Sequence, residues 1–538
     1  MSKLFLNFLL LALLLVFISP IIIIVMSLFG DFSENIQHIF KYVLGDYITN
    51  SIILLVGVLI LSGVIGIVSS WLVTNYNFFG KKFFEWALIL PFAVPPYILA
   101  FTFTEFFESY GIIAMLLNSF FEDSDSINFF SIRNIFGAIF VLSFTLYPYV
   151  YLLTRISFLN QSKSILESAE TLGLNLFQRF FRVSLPTIRP AIIAGLALIS
   201  METLSDFGAV EHFAVPTFTT GIFRTWQGMY DLQSAMQLSS ILLFVIAIFF
   251  ISERISRSRS AFTQEASNFK PITEKEIKGI KSFFAFLFCL TPVLIGFILP
   301  VSQLIFWGIE FNFDFFSEKF IDNASSTLFL GAIAAILCTS IALIVNISAR
   351  YNKSKLISGL GSMLSIGYGL PGLILAVGVV KISSTLDSSI LQNSSIYLTG
   401  SLTLLITAYL IKSYALASNS IESGLKGIDN NLDDASKTLQ TSGLSMLFRI
   451  HFPLLSTSIF TSSILVFSEV VKELPATLIL RPFNFDTLAV SAYIYAAEER
   501  MFEAAAPAIS IVAIGLIPIY FMTKLINKSS FRNEETSA

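Results

Sequence analysis

Apolar runs long enough to cross a bilayer succeed one another along nearly the whole chain. A spanning helix needs about 20 apolar residues. Such runs fall near residues 4–28, 50–74, 84–107, 132–154, 189–210 and 236–252, and again near 283–307, 325–348, 357–380, 396–418, 456–477 and 504–524. The pattern predicts an all-α, polytopic transmembrane helical bundle of about twelve spans in two six-helix halves. The first run follows Lys3, is long and lacks an A-x-A cleavage signal, so it reads as a retained span with a cytoplasmic N-terminus. The expected division is a first half over 1–251, a polar, basic, serine-rich linker over 252–282, mobile in part, a second half over 283–528 and a disordered tail over 529–538.

Between the apolar runs one polar segment occurs twice. Glu167 to Pro186, ESAETLGLNLFQRFFRVSLP, returns 267 residues later as Asp434 to Pro453, DASKTLQTSGLSMLFRIHFP, close to half of the 538 residues. Recurrence at half-length implies two homologous halves, each with one copy of the same device. Ser164 before Glu167, and Asn431 before Asp434, have the spacing of a helix N-cap with an acid at N3. Small residues follow, Ser168 and Ala169 in one copy and Ala435 and Ser436 in the other, so another protein surface can approach closely. The copies, near 164–186 and 431–453, close on Leu185-Pro186 and Phe452-Pro453, where proline disfavours α conformation in the preceding residue and predicts a chain break.

Basic residues orient the spans. An inside N-terminus assigns to the cytoplasm Lys81 and Lys82, Arg155 to Arg189, Arg254 to Lys281, Arg350 to Lys355, Lys412 to Arg449 and Lys524 to Arg532, about 25 of the 33 Lys and Arg. The opposite loops hold acids, such as Glu122, Asp123 and Asp125, or Glu310, Asp314 and Glu318. Both polar repeats then face the cytoplasm. Composition adds little: 55% hydrophobic and 13% charged residues fit an integral membrane protein, and a net charge of −3 makes no case for nucleic acid. Cys289 and Cys338 both sit in apolar runs, which argues against a disulfide framework or a thiolate site.

Charges inside the spans are the candidate chemistry. Counted from each repeat proline, Glu202 and Asp206 align with Glu469 and Glu473, and the i,i+4 spacing puts each pair on one helix face. Carboxylates in a span face the bundle interior or water. Two readings stay open: the oxygens meet a cationic or hard-metal solute in a path between the halves, or they hold helices together or form a gate, with Lys472 pairing Glu469. Pro91, Pro95 and Pro96 in LPFAVPPYILAF correspond to Pro371 and Gly372 in GYGLPGLILAVG, each in the third span of its half, where a break marks a path, a hinge or a packing kink.

Glu167-Ser168-Ala169, Gly173 and the V-x-L-P ending resemble the cytoplasmic coupling motif of permease subunits in ATP-binding-cassette importers. The second copy departs from it, with Gln440 in place of the glycine. The stretches METLSDFGAVEHFAVPTFTTGIFRTW and KELPATLILRPFNFDTLAV, residues 201–226 and 472–490, resemble those of permeases for ferric iron in the same class. The resemblance implies a fused two-half permease in a bacterial inner membrane. It implies two ATPase subunits, holding ATP and Mg, on the cytoplasmic repeats, with Gly173 against Gln440 making the two docking sites unequal. It also implies a periplasmic solute-binding protein carrying Fe³⁺ on the other face, and alternating access driven by the ATPases. Related permeases for thiamine and other small solutes share the architecture. On the same resemblance Glu211-His212 is a surface or docking pair rather than a metal site, and His451 is an ATPase contact. No G-x-x-x-x-G-K-[ST], H-E-x-x-H, paired C-x-x-C or G-x-S-x-G occurs, so the chain carries no nucleotide cradle or hydrolase motif and no firm metal site. The rival class is an ion-gradient-driven carrier using the four membrane carboxylates as a proton relay. The two acid-capped cytoplasmic helices argue against it.

Overall fold

A computed structural model of the chain describes residues 3–535 apart from 109–110, 112–130, 160, 162–167, 170, 265–274, 312–314, 353–354, 393–396, 430 and 433–445. Each of the twelve apolar runs coincides with helix. Among the described residues eight helices are long and apolar enough to cross a membrane, and ten if each of two bent pairs counts as one span. The other two predicted spans fall short for separate reasons. Leu402–Lys426 is long enough but polar, and Ser456–Val471 is only 16 residues.

In chain order the first half comprises α1 (Lys3–Met26), α2 (Glu34–Tyr42), α3 (Leu44–Asn75), α4 (Lys81–Ala87), α5 (Pro96–Phe107), α6 (Ile135–Leu159), α7 (Arg189–Ser205), α8 (Gly208–His212), α9 (Phe218–Phe223) and α10 (Leu232–Gln264). The second comprises α11 (Ile280–Val293), α12 (Leu299–Glu310), α13 (Glu318–Asn352), α14 (Lys355–Leu364), α15 (Gly372–Ser389), α16 (Leu402–Lys426), α17 (Ser456–Val471), α18 (Pro475–Leu480), α19 (Leu488–Ala497) and α20 (Met501–Glu535). The helical pairs α6 and α16, α7 and α17, and α8 and α18 each begin 267 residues apart, the offset of the polar repeat. Duplication at the sequence level is therefore duplication of structure around the acidic spans.

The halves interlock rather than abut. One apolar core joins α3 to α6 with α11, α12 and α20 of the other half; the second joins α1, α2 and α10 with α13 to α16. The first and last spans of each half thus complete the core of the other, and burying apolar surface this way resists separation of the halves.

Three expectations need correction. The segment expected to be a partly mobile linker is helical as far as Gln264, because nothing in ISERISRSRS breaks α10, and Lys275–Glu276 pairs in parallel with Tyr76–Asn77. The expected disordered tail continues α20 to Glu535, since no glycine or proline follows Pro518. The prolines closing the polar repeats do not break the chain before themselves. Leu185 is in the right-handed helical region, inside a π-helical turn (Phe180–Ser184) that runs into Leu185–Thr187, and Leu447–His451 with Phe452–Leu454 repeats the arrangement. A π turn displaces the carbonyl that a proline ring otherwise strikes, so the helix continues through Pro186 and Pro453. The bend comes two residues later, at Ile188 and Leu455, and is 69° in the first half.

Candidate functional site

The third span of the first half breaks by 93° between α4 and α5, where a 3-10 turn (Leu90–Ala93) gives way to extended Val94 and Pro95. Its counterpart in the second half breaks between α14 and α15 through Ser365–Gly369 and extended Leu370. The acidic spans end in the same region. The backbone leaves α7 at Asp206, with φ −64° and ψ 133°, and its carboxylate turns back to accept hydrogen bonds from the backbone N–H groups of Ala209 and Val210, both at 3.1 Å. Past α17, Glu473 accepts from the N–H groups of Ala476 (3.1 Å) and Thr477 (3.0 Å). Each acid satisfies N–H groups in the first turn of α8 or α18 that have no intrahelical partner. Asp206 and Glu473 therefore lie just past their spans rather than on a helix face with Glu202 and Glu469.

These breaks enclose a chamber of about 130 Å³ between the halves, and Glu202, Asp206, Glu469, Lys472 and Glu473 all line it. Val94, Pro95, Pro96 and Gly372 line it too, so the proline breaks face this space and not lipid. Lys472 pairs with Glu469 at 2.9 Å, as its spacing suggests. A second lysine, Lys412, meets Glu473 at 3.3 Å, and Glu473 is only 4% exposed. This corrects the cytoplasmic assignment of Lys412. It stands eleven residues past the N-cap Ser401 of a 25-residue helix, in mid-span. The signal was available, because Lys412 falls inside the run 396–418. Glu202 accepts a longer hydrogen bond, 3.3 Å, from the Tyr149 hydroxyl. Among the described residues no lysine or arginine pairs with Glu202 or Asp206, and no group of three His, Cys, Asp or Glu is arranged to hold a metal ion.

Two further cavities lie along the interface of the halves. Toward the polar repeats is a vestibule of about 870 Å³, lined by Glu253, Arg254, Arg350, Tyr368, Glu422 and Lys426 among others. At the opposite end is a pocket of about 210 Å³ lined by Tyr97, Arg133, Glu211, His212, Tyr493 and Glu499. There Arg133 reaches Glu108 of its own half and Glu499 of the other, each at 3.6 Å. Glu211 and His212 are not one site. Glu211 pairs with Arg224 at 3.2 Å, and the His212 ring nitrogen Nε2 lies 2.9 Å from the Thr104 hydroxyl. Burial, and then the Arg133 guanidinium, push the His212 pKa down to about 4.

Of the repeat residues, Glu167, Asp434, Ala435, Ser436 and Gln440 lie outside the described residues, as do Glu122, Asp123, Asp125 and Asp314. Ser168 is exposed and Ala169 buried in a helical turn that Gly173 ends at φ +77°, with the Leu174 N–H bonded back to the Ala169 carbonyl at 3.2 Å. That is the left-handed C-terminal cap that glycine adopts without strain. The chain then runs through the π turn, Leu185 and Pro186 into α7 with no intervening loop. His451 is fully buried in the second π turn, which does not suit the exposed contact expected of it.

Comparison with known proteins matches this duplicated architecture. The chain is 23% identical to the Fe(3+)-transport system permease protein FbpB 2 of Haemophilus influenzae over 499 residues, 91% of this chain and 92% of that protein. It is 24% identical to the ferric transport system permease protein FbpB of Actinobacillus pleuropneumoniae, over 88% of this chain and 71% of the relative. The sulfate transport system permease protein CysT of Escherichia coli is 29% identical over 37% of this chain and 72% of its own length. The family described as the binding-protein-dependent transport system inner membrane component matches twice, over residues 62–258 and 344–532, so each match contains one polar repeat and one acidic span. The chain belongs to that family, as a two-half, multi-pass transport permease.

Proposed function

We propose that this chain is the membrane-spanning subunit of an ATP-driven importer that passes ferric iron from a periplasmic binding protein to the cytoplasm by alternating access. The observation that carries the reading is the end-to-end likeness to a ferric permease, 91% of one chain on 92% of the other, against a sulfate-permease likeness confined to 37% of this chain. Electrostatics supports a cation. Four carboxylates face two ammonium groups in the chamber, and both ammonium groups are already paired. A dianion 4 Å from an uncompensated carboxylate meets a repulsion of roughly 4 kcal/mol per unit charge at an effective dielectric of 20.

The basic-residue count supports an inside N-terminus, which puts the repeats and the 870 Å³ vestibule in the cytoplasm. Separate ATPase subunits, holding ATP and Mg, would dock on Glu167, Ser168, Ala169 and Gly173 in the first repeat and on Asp434, Ala435, Ser436 and Gln440 in the second. Leu185-Pro186 and Phe452-Pro453 belong to the turns that join these sites to α7 and α17. Displacement of a docking segment then bears directly on the span carrying Glu202 or Glu469, and rocking of the halves moves access from one face to the other. Weak, unclustered ligation suits passage, since a deep well slows release.

The test is uptake of radiolabelled ferric iron into vesicles holding the permease with its cognate ATPase and binding protein. The account expects uptake in wild type and none with Glu167→Ala or an inactive ATPase. Uptake without any ATPase would instead identify a gradient-driven carrier. An ATPase stimulated by a thiamine-loaded binding protein and indifferent to the iron-loaded one would overturn the substrate.

A further inference from the structure

The three cavities form a series, and tyrosines stand at both partitions. Tyr149 lines the central chamber and Tyr368 the vestibule on the repeat side, and their side chains hydrogen-bond to each other across the boundary between the halves. The wall between the two spaces is thin, since Met201 lines the vestibule and Glu202 the chamber. At the other end Tyr97 lines both the chamber and the 210 Å³ pocket. Tyr97 is 5% exposed, and its hydroxyl is buried without a hydrogen-bond partner. A buried hydroxyl left unpaired is costly, which favours a residue whose hydroxyl is satisfied in another arrangement or by what passes it. Gly208 allows the close contact at this partition. A Cβ there would lie 2.8 Å from Tyr97 Cβ and 3.0 Å from Leu474 Cδ2 of the other half.

We propose that Tyr97 is the outer gate and the Tyr149–Tyr368 pair the inner gate of a closed chamber, and that each opens when the halves part on its side. The supports are different in kind. The inner gate is a hydrogen bond between one residue from each half, broken when they separate. The outer gate is one ring wedged against the other half, backed by the Arg133–Glu499 ion pair at the surface. With the outer pocket closed by that pair and the vestibule large, the arrangement is the inward-facing one with the chamber shut. The inference rests on the transport reading above and adds the residues that divide the path.

Chamber access can be read without any substrate, which separates this proposal from the choice of cargo. Ser205 lines the chamber, and the native Cys289 and Cys338 are fully buried. The assembled permease–ATPase complex carrying Ser205→Cys is treated with a charged, membrane-impermeant methanethiosulfonate from each side, in vesicles of both orientations. The expected result is slow labelling from either side. Adding Tyr149→Ala or Tyr368→Ala should raise the rate at least tenfold from the repeat side alone, and Tyr97→Ala at least tenfold from the opposite side alone. Tyr149→Phe, which keeps the ring and loses the hydrogen bond, should give an intermediate rate. Rapid labelling of Ser205→Cys alone, no change on either alanine substitution, or Tyr97→Ala opening the repeat side would overturn the gates. If Tyr97→Ala fails to assemble, Tyr97→Leu and Gly208→Ala are read against the same outcomes. Iron uptake failing while side-selective labelling persists would refute the cargo and leave the gates standing.

Discussion

The two acidic spans share a backbone and differ in charge balance. In both, a carboxylate just past the span caps the short helix that follows, Asp206 on α8 and Glu473 on α18. In the second half both acids also have lysines, Lys472 for Glu469 and Lys412 for Glu473. The first half has Ser205 and Thr145 at the equivalent positions, 267 residues earlier. Duplication preserved the device that shapes the chamber, and only the second copy neutralises itself. The negative charge that a passing cation meets is therefore concentrated on Glu202, held by a single 3.3 Å hydrogen bond from Tyr149.

The sharpest contrast lies between the two capping acids. Glu473→Ala removes the cap and strands Lys412 in a buried site, an expected loss of about 3–5 kcal/mol, whereas Asp206→Ala forfeits the cap alone, about 1 kcal/mol. Thermal unfolding of the purified permease should rank them in that order, and equal losses would mean that Lys412 is not part of the difference. Next comes Gly372→Ala, whose Cβ would lie 2.4 Å from Glu473 Oε1 and force that carboxylate off Lys412. About 1–3 kcal/mol is expected, and Lys412→Met in the same chain should reduce the penalty.

Gly173→Ala meets no neighbouring atom within 4 Å, so its cost is that of φ +77° on a residue with a Cβ, about 1 kcal/mol. Global stability should barely move while stimulation of ATP hydrolysis by loaded binding protein falls. The same readout for Gln440→Gly asks whether the second copy is limited by its missing glycine. The smallest effect concerns pH. His212 has a folded pKa of about 4 against an ordinary 6.5, so protonation favours unfolding. Its stabilising neutral form is intact above pH 6.5 and is lost as pH falls toward 4. The corresponding position, 479, is isoleucine, so this acid sensitivity belongs to the first half alone. His212→Gln should flatten that arm of the stability profile.

Much of this was legible in the sequence because membrane solvation is a strict constraint. All twelve helices are visible as apolar runs, and Glu202, Asp206, Glu469, Lys472 and Glu473 stand out against them and meet in one chamber. Lys412 was visible but absorbed into a tally of cytoplasmic charges, because counting bases by loop ignores depth within a span. Tyr97, Tyr149 and Tyr368 gave no signal at all. Tyrosine is ordinary in a span, and only contacts between segments distant in sequence distinguish these three. The chain's path through Pro186 and Pro453 was hidden for a related reason. A π turn has no signature in composition, while the proline rule it evades does.

The most direct test of the central claim compares initial rates of ferric iron uptake by the reconstituted complex carrying Glu202→Gln or Glu469→Gln with that of wild type. The account predicts a fall of roughly tenfold or more for Glu202→Gln, equivalent to about 1.4 kcal/mol in the barrier, with the complex assembled and its ATPase still stimulated by loaded binding protein. Wild-type uptake by Glu202→Gln would contradict it, most plainly if Glu469→Gln alone abolished transport.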